Sequence, residues 1–176
     1  MTTKIPARIQ WAVETLAVAP DDHLLEIGCG TGVAVALIAE HLSGGKIVAI
    51  DRSEKMIAQA RKKNQALVEV GQVDFQVADV ETMDFGEMRF NKIFAVNVNL
   101  FWTKPAAELQ GVIKRLKSCL QTGGSLSLFY EPPDISQTQI IADMVTGVLA
   151  AHDFTIREVL YQGLESARGV CIIAHV

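Results

Sequence analysis

Glycines at every second position form the most informative segment of this 176-residue sequence. Gly28, Gly30 and Gly32 follow the apolar run Leu24–Ile27, and Glu26 stands two positions before the first of them. Glycine lets a backbone approach a ligand closely and adopt positive φ. Dinucleotide sites prefer the spacing Gly-x-Gly-x-x-Gly around a pyrophosphate, whereas a carboxylate beside the loop repels that anion and suits an ammonium or sulfonium group. The segment favours a cationic cofactor over NAD, with a generic turn as the alternative.

Two aspartates follow later apolar runs. Asp51 ends Val48–Asp51, and a carboxylate at the end of a strand can accept hydrogen bonds from both hydroxyls of a ribose. Asp79 follows Val73–Val77 and can accept a hydrogen bond from the exocyclic amine of an adenine. The alternatives are a helix-capping role for Asp51 and a turn role for Asp79. Together the two carboxylates indicate an adenosine-binding crevice.

Alternating helical and strand patterns must position these side chains. Apolar residues at helical spacing, together with capping residues and breakers, predict helices over residues 4–19, 31–42, 53–67, 103–120 and 134–149. Thr31, Ser53 and Thr103 are the predicted N-caps of three of them. Short apolar runs predict five strands at 23–27, 46–50, 73–77, 92–98 and 125–130. This order is typical of βαβ units and a parallel sheet.

The last part of the chain has a different pattern. Phe154–Tyr161 and Gly169–Val176 are strand patterns joined by seven residues, too few for a helical crossover, so they should pair antiparallel. The predicted fold is a doubly wound, Rossmann-like α/β sheet of seven strands, five parallel plus a C-terminal antiparallel hairpin. We expect one domain over 1–176, in which an N-terminal helix within 1–19 could act as a lid.

These motifs resemble a known family when taken in order. Glu26–Gly32, Asp51 with Met56, Asp79, and Leu120–Gly124 before the fifth strand are similar to the motifs of class I S-adenosylmethionine-dependent methyltransferases. The similarity covers all but about the first 19 residues. It is greatest to the small-molecule branch that includes the ubiquinone/menaquinone-biosynthesis methyltransferases.

The resemblance implies S-adenosylmethionine as the cofactor and methyl transfer to a small-molecule acceptor by in-line displacement. The glycines would lie along the methionine portion, and Asp51 would hold the ribose. Arg52 and Met56 would flank the adenine, and Asp79 would bind its edge. The backbone of Asn97 would meet the methionine amino group. The full predicted cofactor set is Glu26, Gly28, Gly30, Thr31, Gly32, Asp51, Arg52, Met56, Asp79, Val80 and Asn97.

The acceptor is expected at the ends of the fourth and fifth strands. Glu131 is the candidate general base or substrate anchor, and Tyr130 is a candidate polar contact; these two are the predicted catalytic residues. Phe101 and Trp102 are candidate walls. The alternatives are that Glu131 is a solvated carboxylate, that Tyr130 is a core residue, and that Phe101 and Trp102 form a staple at a helix N-terminus. Because a helix follows Glu131 almost directly, no substrate-binding insertion is expected, and the site should be open unless the first helix or another subunit covers it.

Composition narrows the functional classes. Apolar residues make up 49% and charged residues 20%, and the net charge is −4, which disfavours a dedicated nucleic-acid binder. No uncharged stretch approaches the roughly 20 residues of a membrane span, and no secretory signal precedes the domain, so we expect a cytoplasmic protein. The three cysteines are far apart and indicate no metal site; Cys119 and Cys171 should be buried thiols.

Three functional hypotheses follow. The first is an active methyltransferase on a small metabolite. The second is a cofactor-binding subunit that is inactive until a partner, or a second copy of the chain, completes its site. The third and weakest is an NAD(P)-binding oxidoreductase, which lacks an evident Tyr-x-x-x-Lys or His/Asp arrangement.

Overall fold

Seven strands and seven helices are present in the part of the chain that the computed structural model describes, residues 4–164 and 167–176. The strands are β1 His23–Ile27, β2 Lys46–Asp51, β3 Val73–Val77, β4 Phe90–Val96, β5 Leu120–Tyr130, β6 Thr155–Gly163 and β7 Arg168–His175. The helices are α1 Ala7–Leu16, α2 Val33–Ala39, α3 Glu54–Lys63, α4 Gln65–Glu69, α5 Leu100–Thr103, α6 Ala106–Cys119 and α7 Gln137–Ala150. None of these described helices is long and apolar enough to cross a membrane.

All seven strands belong to one sheet in the order β3-β2-β1-β4-β5-β7-β6. Strands β1 to β5 are parallel, and β7 is antiparallel to both of its neighbours, β5 and β6. The predicted fold class, including the antiparallel C-terminal pair, is confirmed. β7 lies inside the sheet and β6 forms its edge, so β6 points in the same direction as the first five strands.

The strand order reverses beside β1, which pairs with β2 on one side and with β4 on the other. In an open α/β sheet a crevice forms at such a switch point, outside the carboxyl ends of the strands. The loops after β1, β2, β3 and β4 therefore meet at one edge of the sheet.

Helices cover both faces of the sheet and bury an apolar core on each. One core lies under α1, α2 and α3, and the other lies under α5, α6 and α7. The central strands are apolar on both faces, as buried parallel strands require. In α6 the buried residues Leu109, Val112, Ile113 and Leu116 follow helical spacing and form its inner stripe. The body of α1 belongs to the first core, and its Trp11 ring packs edge-on against Phe129.

Several predicted boundaries were wrong. The first helix is shorter than residues 4–19, because Pro6 precedes it and Ala17 ends it in the left-handed conformation. Gly32, not Thr31, precedes α2. The predicted helix over 103–120 begins later, as α6 with Pro105 rather than Thr103 at its N-cap, and Thr103 ends the separate helix α5. The predicted helix over 53–67 is two helices, α3 and α4. Ser53 does cap α3, accepting a hydrogen bond from the backbone N–H of Met56 at 3.3 Å.

Candidate cofactor and acceptor site

The glycine loop follows β1 and is hydrogen-bonded to the end of β2. The N–H groups of Gly28 and Cys29 both donate to the Ile50 carbonyl, at 2.8 and 3.0 Å. Gly28 has φ +72°, and a Cβ added there would lie 2.6 Å from Cγ2 of Val98. A side chain would be strained in this conformation and would clash with the loop after β4. The sequence therefore needs glycine at this position to form the crevice.

Asp51, at the end of β2, is held by two backbone amides. Its Oδ2 accepts a hydrogen bond from the Gly30 N–H at 2.9 Å, and its Oδ1 accepts one from the Ser53 N–H at 2.9 Å. These bonds fix the carboxylate between the glycine loop and the start of α3. Each oxygen retains a lone pair that can accept a further hydrogen bond.

The loop after β3 carries the second carboxylate. Asp79 Oδ1 accepts a hydrogen bond from the Glu81 N–H at 2.9 Å, and its Oδ2 lies 4.0 Å from Nη1 of Arg52. On its other side this loop is held by two cations: Arg115 donates to the carbonyls of Val80 and Glu81, and Lys104 pairs with the Glu81 carboxylate. The carboxylate of Asp79 is thus presented by a loop that is anchored from α6 and from the segment before it.

These loops surround a cavity of about 480 Å³, hereafter the first pocket. Backbone and side chains from the ends of β1, β2, β3 and β4 form its wall. Its lining consists of Ile27, Gly28, Ile50, Asp51, Arg52, Ala78, Asp79, Val80, Glu81, Val96, Asn97, Val98, Asn99, Leu100, Thr103 and Lys104. Among them, two carboxylates at the ends of adjacent strands face a site bordered by glycine and aliphatic side chains.

Glu26 lies in β1 with 3% of its surface exposed. Its burial, and secondarily the charge of Asp51, raise its pKa from the ordinary 4.5 to about 8. Within the described residues its Oε2 has no hydrogen-bond partner. The neighbouring thiol of Cys29 also has a raised pKa, caused by burial and then by the charges of Glu26 and Asp51, so it is not a nucleophile at neutral pH. A protonated carboxyl group beneath a glycine loop can ionise when a positive charge binds nearby.

Asn97 joins the ends of β4 and β5. It follows β4 with φ +56°, unusual for a residue other than glycine. Its N–H donates to the Phe129 carbonyl at 2.8 Å, and its side-chain Oδ1 accepts a hydrogen bond from the Glu131 N–H at 2.8 Å. Asn97 therefore fixes the backbone beside Glu131.

A smaller cavity of about 180 Å³, hereafter the second pocket, adjoins the first pocket at Asn97 and Asn99. Its lining consists of Asn97, Asn99, Trp102, Tyr130, Glu131, Pro132, Pro133, Gln137 and Ile141. The Glu131 carboxylate in it accepts a hydrogen bond from Nη1 of Arg8, in the first turn of α1, at 3.1 Å. Tyr130 is 3% exposed, its hydroxyl has no partner among the described residues, and burial raises its pKa.

The structure brings six predicted cofactor residues into the first pocket: Gly28, Asp51, Arg52, Asp79, Val80 and Asn97. The other five do not line it: Glu26, Gly30, Thr31, Gly32 and Met56. Gly30 contributes to the pocket indirectly, because its N–H donates the hydrogen bond that holds the Asp51 carboxylate. The predicted acceptor residues Tyr130, Glu131 and Trp102 meet in the second pocket.

Phe101 does not wall the site, because it is 1% exposed and belongs to the core. Sequence reasoning missed Lys104 and Glu81, whose pairing joins segments 23 positions apart. It also missed Arg8, which lies 123 positions from Glu131. No local signal in the sequence marks either ion pair.

The strand order, with a glycine loop and two carboxylates at the switch point, defines the class I methyltransferase fold. Residues 24–124, more than half of the chain, match the family described as "Methyltransferase domain". The protein therefore belongs to this family, whose cofactor is S-adenosylmethionine. The oxidoreductase hypothesis has no support from this assignment.

Proteins with similar sequences support the assignment to this family. Trans-aconitate 2-methyltransferase of Delftia acidovorans is 33% identical over 135 residues, which are 74% of this chain and 46% of that protein. The O-methyltransferase of Pyrenophora dematioidea is 32% identical over 99 residues, which are 56% of this chain and 37% of that protein. The chain thus spans about a third to a half of these two proteins' lengths.

The solved structure of magnesium protoporphyrin IX methyltransferase from Synechocystis PCC 6803 with bound S-adenosylmethionine shares the fold. It superposes with a TM-score of 0.70 at 20% identity, over 95% of this chain and 75% of the other. The similarity to the ubiquinone/menaquinone branch in particular stays a prediction.

Proposed function

We propose that this protein binds S-adenosylmethionine in the first pocket and transfers its methyl group to a small-molecule acceptor held in the second pocket. The observation that carries the proposal is the first pocket itself, where the carboxylates of Asp51 and Asp79 stand at the ends of adjacent strands beside Gly28. When bound, the cofactor supplies a methyl group activated by the positive charge of its sulfonium.

The donor set of the first pocket fits this cofactor. A ribose offers two hydroxyl donors, and the free lone pairs of the Asp51 carboxylate would accept them. The adenine offers an amine donor, which Asp79 would accept, with the Val80 backbone beside it. The backbone of Gly28, which lines the first pocket without a side chain, would lie along the methionine portion. Arg52, Met56, Thr31 and the remaining loop glycines belong to the proposed set as well.

Glu26 would act on the cofactor through charge. A carboxyl group with a pKa of about 8 is largely protonated at neutral pH. A cationic ligand above the glycine loop stabilises the ionised form, so binding would release a proton from Glu26. Glu26 would thereby offset the positive charge without being in direct contact with the ligand.

The main task of the protein would be orientation. In-line displacement requires the nucleophile, the methyl carbon and the sulfur to be aligned, and such positioning lowers a barrier by several kcal/mol. Asn97 and Asn99 line both pockets and would set the relation between donor and acceptor. Glu131, held by Arg8 and by the Asn97 side chain, is the proposed proton acceptor for a hydroxyl or amine nucleophile. The hydroxyl of Tyr130 is buried, so its proposed role is to support the floor of the pocket.

The first test is calorimetric titration of the purified protein with S-adenosylhomocysteine, with NADH run alongside. We expect micromolar binding of S-adenosylhomocysteine and none of NADH. Asp51→Asn keeps the shape of the side chain but removes its charge, and should weaken binding at least tenfold, about 1.4 kcal/mol. Glu14→Gln, which removes an exposed charge from α1, is the matched control and should bind normally. Equal binding by the Asp51 variant would remove this residue from the site.

A second candidate function is a cofactor-binding subunit that needs a partner or a second copy for activity. One observation favours it: β5 is followed by only six residues before α7, so no inserted segment covers the second pocket. Turnover on any acceptor by the purified chain, at a concentration at which it is monomeric, would exclude this alternative. Binding of S-adenosylhomocysteine without turnover on a broad acceptor panel would favour it.

A further inference from the structure

We infer that the second pocket receives a compact, flat acceptor that is uncharged or cationic, and that it discriminates against carboxylates. This inference rests on the proposed function, because it assigns the second pocket to the acceptor. It concerns the size, the wall chemistry and the charge of that pocket.

The size of the second pocket limits the part of the acceptor that it can hold. Its volume of about 180 Å³ corresponds to roughly six water molecules at about 30 Å³ each. That space suits a single ring with a short substituent. Trp102, Pro132, Pro133 and Ile141 supply flat or apolar walls, against which an aromatic ring can stack.

The polar groups of the pocket suit a hydroxyl, an amine or an amide. Asn97 and Asn99 already use their Oδ1 atoms, which accept hydrogen bonds from the Glu131 N–H and the Trp102 Nε1–H at 2.8 and 3.3 Å. Their side-chain N–H groups can therefore donate to a ligand. Glu131 has a second carboxylate oxygen beyond the one that contacts Arg8. The pocket thus offers a carboxylate acceptor beside amide donors.

The charge of the pocket sets its preference. Within the described residues its lining includes the Glu131 carboxylate but no Lys, Arg or His. The neighbouring guanidinium of Arg8 is engaged by Glu131 at 3.1 Å and does not line the pocket. The adjoining first pocket is lined by the acidic side chains of Asp51, Asp79 and Glu81 and by the basic side chains of Arg52 and Lys104. Because Arg52 lies beside Asp79 and Lys104 pairs with Glu81, the net negative charge of that lining comes from Asp51. A bound carboxylate would lie beside Glu131 without a cation of its own. The Arg8 guanidinium offsets part of the repulsion between these like charges, and we expect the remaining penalty to be about tenfold in affinity, roughly 1.4 kcal/mol.

Three isosteric probes test this preference: benzamide, benzamidine and benzoate, which have the same ring and the same branched substituent but different charge. Each is titrated into the protein saturated with S-adenosylhomocysteine, and the indole N–H resonance of Trp102 is followed by NMR. Trp11→Phe assigns this resonance, because the sequence has two tryptophans. We expect benzamide and benzamidine to bind at least about tenfold more tightly than benzoate, and Glu131→Gln to remove the penalty on benzoate. Glu14→Gln should leave the three affinities unchanged.

Three results would overturn the inference. They are benzoate binding as tightly as benzamide, no movement of the Trp102 resonance with any probe at millimolar concentration, and a benzoate penalty that persists in Glu131→Gln. Each can occur while S-adenosylhomocysteine still binds, in which case the proposed function stands and the acceptor assignment fails. Loss of S-adenosylhomocysteine binding itself would instead refute the proposed function.

Discussion

Replacing Glu26 by glutamine should make the unliganded protein more stable at neutral and alkaline pH. The folded state holds this proton up to a pKa of about 8, whereas the unfolded chain loses it near 4.5. Between these values the folded state binds more protons than the unfolded state, so the free energy of unfolding falls as pH rises. Below about pH 4.5 the side chain is neutral in both states and carries no penalty. Above about pH 8 it is charged in both, and the full burial penalty applies.

The magnitude follows from the interval between the two pKa values. Each pKa unit is worth about 1.4 kcal/mol. At pH 7 the difference between the two pKa values therefore lowers the free energy of unfolding of the wild type by on the order of 3 kcal/mol. Glutamine has nearly the same shape and does not titrate. For a protein of this size each kcal/mol shifts Tm by about 2–4 °C. We therefore expect the Tm of the variant to exceed that of the wild type by about 2–3 °C at pH 5 and by roughly 6–12 °C at pH 7.

The assay is thermal unfolding of wild type and Glu26→Gln at several pH values from 5 to 8.5, with the difference between them as the readout. Other titrating groups contribute equally to both proteins and cancel. Glu14→Gln, on the exposed side of α1, should differ from wild type by a constant. A constant difference for Glu26→Gln as well would refute the reasoning, because it would mean that Glu26 ionises in the folded protein as it does in water.

Two further substitutions test the first pocket. Gly28→Ala adds a Cβ at φ +72° and 2.6 Å from Val98, so it should cost at least about 1 kcal/mol of stability and weaken S-adenosylhomocysteine binding; normal binding measured by calorimetry would show that the ligand does not approach this loop. Arg115→Ala removes the hydrogen bonds that hold the carbonyls of Val80 and Glu81, so binding should weaken several-fold. Lys114→Ala, on the exposed face of the same helix, should leave binding unchanged, and equal affinities for both variants would disprove an anchoring role for Arg115.

Most of the fold could be predicted from the apolar pattern of the strands and from the glycine and turn residues that end them. β1 and β3 have the predicted bounds because glycine or an aspartate-containing turn ends each run sharply. The antiparallel tail was predictable because a seven-residue link cannot hold a crossover helix. Helix starts were less predictable, as at α2, where the left-handed Gly32 rather than a threonine side chain ends the loop. Met144 shows the same limit: it fits the apolar spacing of α7 but is 46% exposed.

The residues of the candidate site likewise fall into those that a local sequence pattern could predict and those that it could not. Asp51 and Asp79 were found because each follows an apolar strand, which is a local pattern. Arg8 and Lys104 were not found, because their partners lie far away in sequence and ion pairs between distant segments leave no periodic trace. The buried state of the Tyr130 hydroxyl was likewise undetermined, since a tyrosine at the end of a strand fits a core position and a site equally well.

The position of β7 has a consequence for how the chain folds during synthesis. This strand comes last among the seven but lies between β5 and β6. Until the ribosome has released it, the growing sheet presents β5 as an open edge, and β6 has no strand to pair with. Such exposed edges can template pairing with other chains. The sheet therefore closes only after β7 itself has been translated, and a nascent chain stalled shortly before this strand should be prone to aggregation and chaperone binding.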